Sequence, residues 1–292
     1  MNFYGVMTAI ITPFKNGLFD EDAFRKLIDW QIKEGVDGLV VCGTTGEAVT
    51  LSAEEHDRVV RAAVQHVAGR VPVIAGCGSN STATAIKMAK LVKDAGADAG
   101  LQVTPYYNKP TQEGLYQHFK SIASMVDMPM ILYNVPGRTC VNMLSDTVKR
   151  LSSIDIIIGI KEASGNLDQI KTIISETSDE FCVFSGDDSL NFDIYKAGGD
   201  GCISVASNVM PHKVSLVWDK FVEGDHLEAE RLHSELDALN KIMFIETNPI
   251  PAKTSLSLMG YCKEEFRLPM TPISNAHKNE LRSVLAQYRL LS

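Results

Sequence analysis

The chain has 292 residues, 45% of them hydrophobic and 22% charged, with a formal net charge of −8. That length accommodates one large α/β domain or two smaller ones with an ordinary globular core. The negative balance argues against nucleic acid or an anionic membrane surface as a partner and leaves small molecules as the default.

The opening "MNFYGVMTAIITPFK" has no basic leader, and its apolar run is too short to span a bilayer before Pro13 and Lys15. The six cysteines, Cys42, Cys77, Cys140, Cys182, Cys202 and Cys262, show no CxxC spacing, and four lie in or beside apolar runs. They read as buried free thiols in a reducing compartment, which points to the cytoplasm.

Along the chain, short apolar runs alternate with longer amphipathic stretches, and each such pair reads as a βα unit. The predicted strands are "GVMTAIIT", "GLVVC", "VPVIAG", "AGLQVT", "MPMILY", "IIIGI", "FCVFSG" and "GCISV". Between them, Ser52 and Glu55 form a capping box ahead of "HDRVVRAAVQHV", and Gly96 closes "TATAIKMAKLVKDAG". The turn Gly-x-Asp-Gly/Ala recurs at Gly35 to Gly38, Gly96 to Ala99 and Gly198 to Gly201. Its spacings fit two and then four units of about 25 to 30 residues, the size of a strand and its crossover helix.

Eight such units predict an α/β fold closed as a (β/α)8 TIM barrel over residues 1–224. An open doubly wound sheet would carry a Gly-rich turn after its first strand, where this chain has "TPFKNG". Residues 225–292 predict a C-terminal helical extension, with Pro249 and Pro251 marking a break.

The residues that end barrel strands share one rim, and that rim carries the active site. Here it collects "GTTGE", "TPYYNKP", "YNVPGRT", Lys161, "SGDD" and Ser204. Lys161 ends an isoleucine-rich strand. A lysine withdrawn from water is driven toward the neutral amine that attacks carbonyls and forms a Schiff base; an ion pair with Glu162 or Glu47 is the alternative. Tyr133 ends the preceding strand, about 5 Å away, where a phenol would shuttle protons or simply satisfy a strand end. "GTTGE" offers hydroxyls and backbone N–H groups to a small carboxylate, or an ST-turn serving only the backbone. Arg138 would fork onto a second carboxylate or stand alone on the surface. Asp187 and Asp188 occupy the place where many barrels bind phosphate and argue against a phosphorylated substrate. No pair of the seven histidines sits at a strand end with ligand spacing, so no metal is expected.

Together "AIITPF", "GTTGEAVTL", "TPYYNKPTQEGLYQHF", "ILYNVPGRT", "IGIKEASGN", "SGDD", "NPIPAK" and "RLPMTPI" strongly resemble the dihydrodipicolinate synthase family of pyruvate-dependent class I aldolases, over nearly the whole chain. The resemblance implies a cofactor-free lyase that condenses pyruvate with L-aspartate 4-semialdehyde on the route to diaminopimelate and lysine. It implies Lys161 as the Schiff-base residue, with Tyr133, Thr44 and Tyr107 as a proton relay, Tyr107 coming from a neighbouring subunit. It further implies that Thr45, Arg138, Gly186 and Ile203 bind substrate, in a homotetramer of two tight dimers. His56, Asn80 and Tyr106 match the inhibitory lysine site of the family, but Thr84 stands where lysine-sensitive members commonly carry glutamate and Ala53 replaces a histidine. A sister aldolase, such as an N-acetylneuraminate lyase or a keto-deoxy sugar acid aldolase, shares the lysine and tyrosine. Thr44 and Arg138 distinguish this chain from it, and the intact lysine, tyrosine and threonine set argues against a silent small-acid-binding barrel.

Overall fold

The computed structural model describes residues 3–291. Eight parallel strands close on themselves: β1 (Gly5–Ala9), β2 (Gly38–Val41), β3 (Val73–Gly76), β4 (Ala99–Val103), β5 (Met130–Asn134), β6 (Ile157–Glu162), β7 (Cys182–Ser185) and β8 (Gly201–Ser204). Each pairs with the next in chain order, and β8 returns to β1 through Gly5 beside Gly201 and Thr8 beside Ser204. This is the (β/α)8 barrel expected from the alternation of the sequence. A small antiparallel hairpin, Phe14–Lys15 with Leu18–Phe19, follows β1.

The strands read as continuous apolar runs because both faces are covered. Met7, Val40, Ile74, Ile131, Phe184 and Ile203 point inward and fill the barrel. Residues of opposite parity, such as Leu39, Ala75, Leu132 and Ile160, pack outward against the crossover helices. Those helices begin where caps permit. Ser52 and Glu55 form the expected capping box at the start of Ala53–Val67, and Ser81 caps Thr82–Asp94, which ends before Gly96 at φ 91°.

The recurring Gly-x-Asp turn has a structural role beyond reversing the chain. Asp37 accepts a hydrogen bond from the backbone N–H of Val6 at 2.8 Å, Asp98 from Val73 at 2.8 Å and Asp200 from Val183 at 2.7 Å. In each case the aspartate's own N–H donates back to the same valine's carbonyl, at 2.8, 2.9 and 3.0 Å respectively. Three of the eight strand junctions are thereby stapled at the end of the barrel opposite the site.

After Pro211–Val222 the chain turns at Gly224 and runs through His226–Glu235, Asp237–Ile242, Ile250–Leu258 and Asn275–Gln287. The break between the second and third of these contains Pro249, with Pro251 in the first turn of the next helix. These helices have no core of their own: Leu239, Leu281 and Leu285 pack in one cluster with Val6 of β1 and Cys202 of β8. All six cysteines are unpaired, but against the expectation of burial Cys182 and Cys262 are half-buried and Cys140 is exposed; Cys140 ends the short helix Pro136–Thr139 in a left-handed conformation on the surface. Among the described residues no helix is long and apolar enough to cross a membrane.

Burial holds the carboxyls of Asp37 and Asp200 above the ordinary range, against the lowering effect of their backbone bonds. A raised carboxyl contributes stability below its unfolded value of about 3.9 and loses it as pH rises through the folded value. At neutral pH, Asp200→Ala should therefore cost about 1 to 3 kcal/mol for the orphaned N–H. Asp200→Asn, which keeps the acceptor and removes the charge, should cost less; equal urea midpoints for the two variants would contradict the staple.

Candidate active site

Tyr133 and Lys161 are direct partners in the β5–β6 register, as the strand spacing requires. Both point into the mouth of the barrel, and Lys161 Nζ lies 4.5 Å from the centre of the Tyr133 ring. Lys161 is 5% exposed, yet neither carboxylate considered from the sequence reaches it. Glu162, of opposite parity, faces outward and accepts from Asn134, Gln169 and the Ser164 N–H; burial nonetheless holds it above the ordinary carboxylate range. Glu47 forms an ion pair with Lys253. Lys161 is thus a buried amine without an ion-pair partner among the described residues, facing a phenol.

The two residues belong to a cavity of ≈ 190 Å³ that also takes in Thr44 and Thr45 after β2, Arg138 after β5, Gly186 and Asp187 after β7, and Phe244 and Asn248 from the C-terminal helices. The Thr44–Thr45 turn runs between two left-handed residues, Cys42 and Glu47, both at φ 52°. Such a conformation persists only where surroundings impose it. Glu47 is fixed by Lys253 and by the backbone N–H of Arg267 at 3.2 Å. Thr45 Oγ1 accepts from Asn248 Nδ2 at 3.0 Å, and Arg138 Nη2 donates to the Asn248 carbonyl at 3.1 Å. Arg138 is therefore neither isolated nor purely a surface group.

Asp188 accounts for the missing phosphate site. Its carboxylate accepts from the backbone N–H groups of Val205 and Ala206, each at 2.9 Å, just beyond β8. Donors in this region hold phosphate in other barrels; here an internal anion occupies them. Asp187 lines the cavity, its carboxyl raised by burial.

Other expected site residues are distributed differently. Ile203 belongs to the buried layer inside the barrel and is not among the residues lining the cavity. Tyr107, at φ 74°, is 89% exposed and does not line this chain's cavity. Ala53, His56, Thr84 and Tyr106 line a second, adjoining cleft of ≈ 530 Å³. Asn80 lies beside its wall, its carbonyl accepting from Asn108 at 2.8 Å. Sequence reasoning missed Phe244, Asn248 and Lys253. The one available signal was a lysine in the apolar, proline-flanked "NPIPAK" segment. All seven histidines lie in helices, and no cluster of three metal-binding side chains occurs among the described residues.

Fold and site together define an enzyme class, the (β/α)8 lyases of the aldolase type. A family model described as the dihydrodipicolinate synthetase family matches residues 2–288. A relative from Oleidesulfovibrio alaskensis called 4-hydroxy-tetrahydrodipicolinate synthase is 54% identical over 287 residues, 98% of each chain. The crystal structure of a dihydrodipicolinate synthase from Thermotoga maritima superposes with TM-score 0.98 at 44% identity over 99% of each chain. That of the Acinetobacter baumannii enzyme, solved with pyruvate, gives 0.97 at 44% identity, over 99% of this chain and 100% of that one. The chain belongs to the dihydrodipicolinate synthetase family.

Gly186 earns its place by size. A Cβ there would lie 3.0 Å from Lys161 Cε and 2.8 Å from the Ala163 Cβ. Gly186→Ala should displace the lysine. Misplacing a reacting group by about 1 Å can cost on the order of a hundredfold, so, on the Schiff-base role proposed below for Lys161, borohydride trapping of pyruvate should slow by at least about tenfold at equal protein stability. An unchanged trapping rate would show that the glycine does not set the lysine's position.

Proposed function

We propose that the protein is a 4-hydroxy-tetrahydrodipicolinate synthase in which Lys161 carries pyruvate as a Schiff base and the enamine derived from it attacks L-aspartate 4-semialdehyde. The observation that carries this reading is the buried Lys161, free of any ion pair among the described residues and packed on Tyr133, between a hydroxyl turn and an arginine. An amine in that position attacks the ketone of pyruvate, and the Tyr133 phenol stands where a proton must pass to and from the carbinolamine. Loss of water leaves the imine, whose methyl group gives up a proton to become the enamine nucleophile. Thr44 and Tyr107 complete the relay in this reading. The exposure of Tyr107 supports its donation to a neighbouring copy, in a homotetramer built from tight dimers and working in the cytoplasm.

The two carboxylates have separate receptors. Thr45 receives that of pyruvate, close to Lys161, and Arg138 receives that of the semialdehyde, a charge-assisted contact worth about 1.5 to 3 kcal/mol. A sister aldolase acting on a long polyhydroxylated acid has less use for an arginine in this place. Gly186 makes room for the reacting lysine. Ile203 acts from beneath the cavity, as part of the packed layer that supports it.

A coupled assay with pyruvate and aspartate semialdehyde, with product reduction followed through NADPH, tests the activity. Borohydride trapping tests the residue. Turnover with both substrates and a pyruvate adduct mapped to Lys161 are expected; an adduct on Lys253 or Lys109 would refute the assignment.

His56, Asn80 and Tyr106 form, in the same proposal, a remnant lysine site at which inhibition is weak or absent. Among the described residues Glu47 is the one acidic side chain lining the second cleft, and Lys253 already holds it. Nearby carboxylates are also engaged. Glu55 takes two bonds from Arg267, at 2.8 and 2.5 Å, which hold its carboxyl down at about 2, and Glu54 accepts from Ser52 at 2.8 Å. With Thr84 in place of a carboxylate, an inhibitor's ammonium loses about 1.5 to 3 kcal/mol of pairing. L-lysine titrated into the coupled assay should leave activity nearly intact at submillimolar concentration, and Thr84→Glu should restore sensitivity; half-inhibition of the unmodified enzyme in that range would sink the proposal.

A further inference from the structure

Asn248 lies between the helices Asp237–Ile242 and Ile250–Leu258 and is 4% exposed. It touches both groups assigned above to carboxylate binding: its Nδ2 donates to Thr45 Oγ1 at 3.0 Å, and its backbone carbonyl accepts from Arg138 Nη2 at 3.1 Å. A hydroxyl has one proton to give. Because Thr45 Oγ1 already accepts from the Asn248 amide, its proton is left to be given elsewhere, and Thr45 lines the cavity that contains Lys161. The Asn248 Oδ1 is buried without a donor among the described residues. An unsatisfied buried acceptor works against stability and calls for another explanation.

The loop is also held in place from both sides. Glu47, two residues beyond Thr45, is ion-paired with Lys253, five residues beyond Asn248, and both members are buried. The hydroxyl turn after β2 and the asparagine thus meet at a fixed distance.

We propose that Asn248 is a positioning residue for both carboxylate subsites, its side chain setting Thr45 as a donor toward pyruvate and its main chain holding the Arg138 fork. This rests on the Schiff-base reading above. Side chain and main chain separate the two roles, so substitution at 248 acts on one subsite only.

The test is steady-state kinetics with each substrate varied in turn, with borohydride trapping as the independent measure of pyruvate binding. Asn248→Ala should raise the KM for pyruvate about three- to tenfold, the effect of one lost hydrogen bond, with kcat and the KM for the semialdehyde little changed. Combined with Thr45→Val it should add nothing to the loss caused by Thr45→Val alone. Asn248→Asp, nearly isosteric, should be worse than alanine, because a carboxylate captures the Thr45 proton and repels pyruvate. Independent multiplication of the Thr45 and Asn248 effects, or an equal rise in both KM values, would reduce Asn248 to a general structural role and overturn the inference. Wild-type protein that forms no pyruvate adduct would remove the functional reading itself. Normal adduct formation with an unchanged pyruvate KM in both Asn248 variants removes only the role of Asn248.

Discussion

The ion pair between Glu47 and Lys253 is the constraint on which the site depends. Both members are buried: Lys253 is 0% and Glu47 3% exposed. Burial drives the lysine below its ordinary range, while the glutamate draws it back toward the charged form. Removing one member of such a pair leaves a buried charge without a partner and typically costs about 3 to 5 kcal/mol. Lys253 also lies 4.2 Å from the centre of the Phe14 ring and donates to the Glu265 carbonyl at 3.1 Å. Those contacts join the hairpin after β1, the turn after β2 and the C-terminal helices at a single point. The rim of the barrel therefore cannot take its shape from the barrel alone.

Two buried lysines in one molecule have opposite fates, and the difference is geometric. Lys253 has its carboxylate, two aromatic faces and a carbonyl, which offset part of what burial takes from its charge. Lys161 has the face of Tyr133. Strand parity produces that difference, since the glutamate next to Lys161 in sequence points out of the barrel and is absorbed by Asn134 and Gln169. Because side chains alternate across a strand, adjacent residues 161 and 162 are kept apart, one facing the cavity and the other holding the turn that follows.

Much of this was readable in the sequence because its determinants are local. All eight strands, the capping box at Ser52 and the adjacency of Tyr133 and Lys161 follow from apolar runs and the short length of a βα unit. The Gly-x-Asp turns were visible as turns, but the bonds their carboxylates make to the preceding strand depend on tertiary pairing of neighbouring strands. Long-range partners stayed hidden for the same reason. Glu47 and Lys253 are 206 residues apart, and Thr45 and Asn248 are 203 apart; no periodicity links such positions. Cys140 misled because it follows a short exposed helix that lies outside the apolar alternation.

The remaining question is how a barrel rim built to bind anions narrows its choice. Backbone donors beyond β8 are occupied by Asp188, which is part of the chain itself. Asp187 adds a second carboxyl to the cavity wall, raised by burial and by the neighbouring Asp188. A multiply charged phosphate would meet like charge there and find the N–H groups already taken. The Thr44–Thr45 turn and Arg138 line the same cavity and offer it hydroxyl and guanidinium donors, which suit a monoanionic carboxylate. Buried carboxyls beside hydroxyl and guanidinium donors in one cavity set attraction for a small carboxylate against repulsion of a multiply charged anion, and a difference of that kind is what discriminates between ligands.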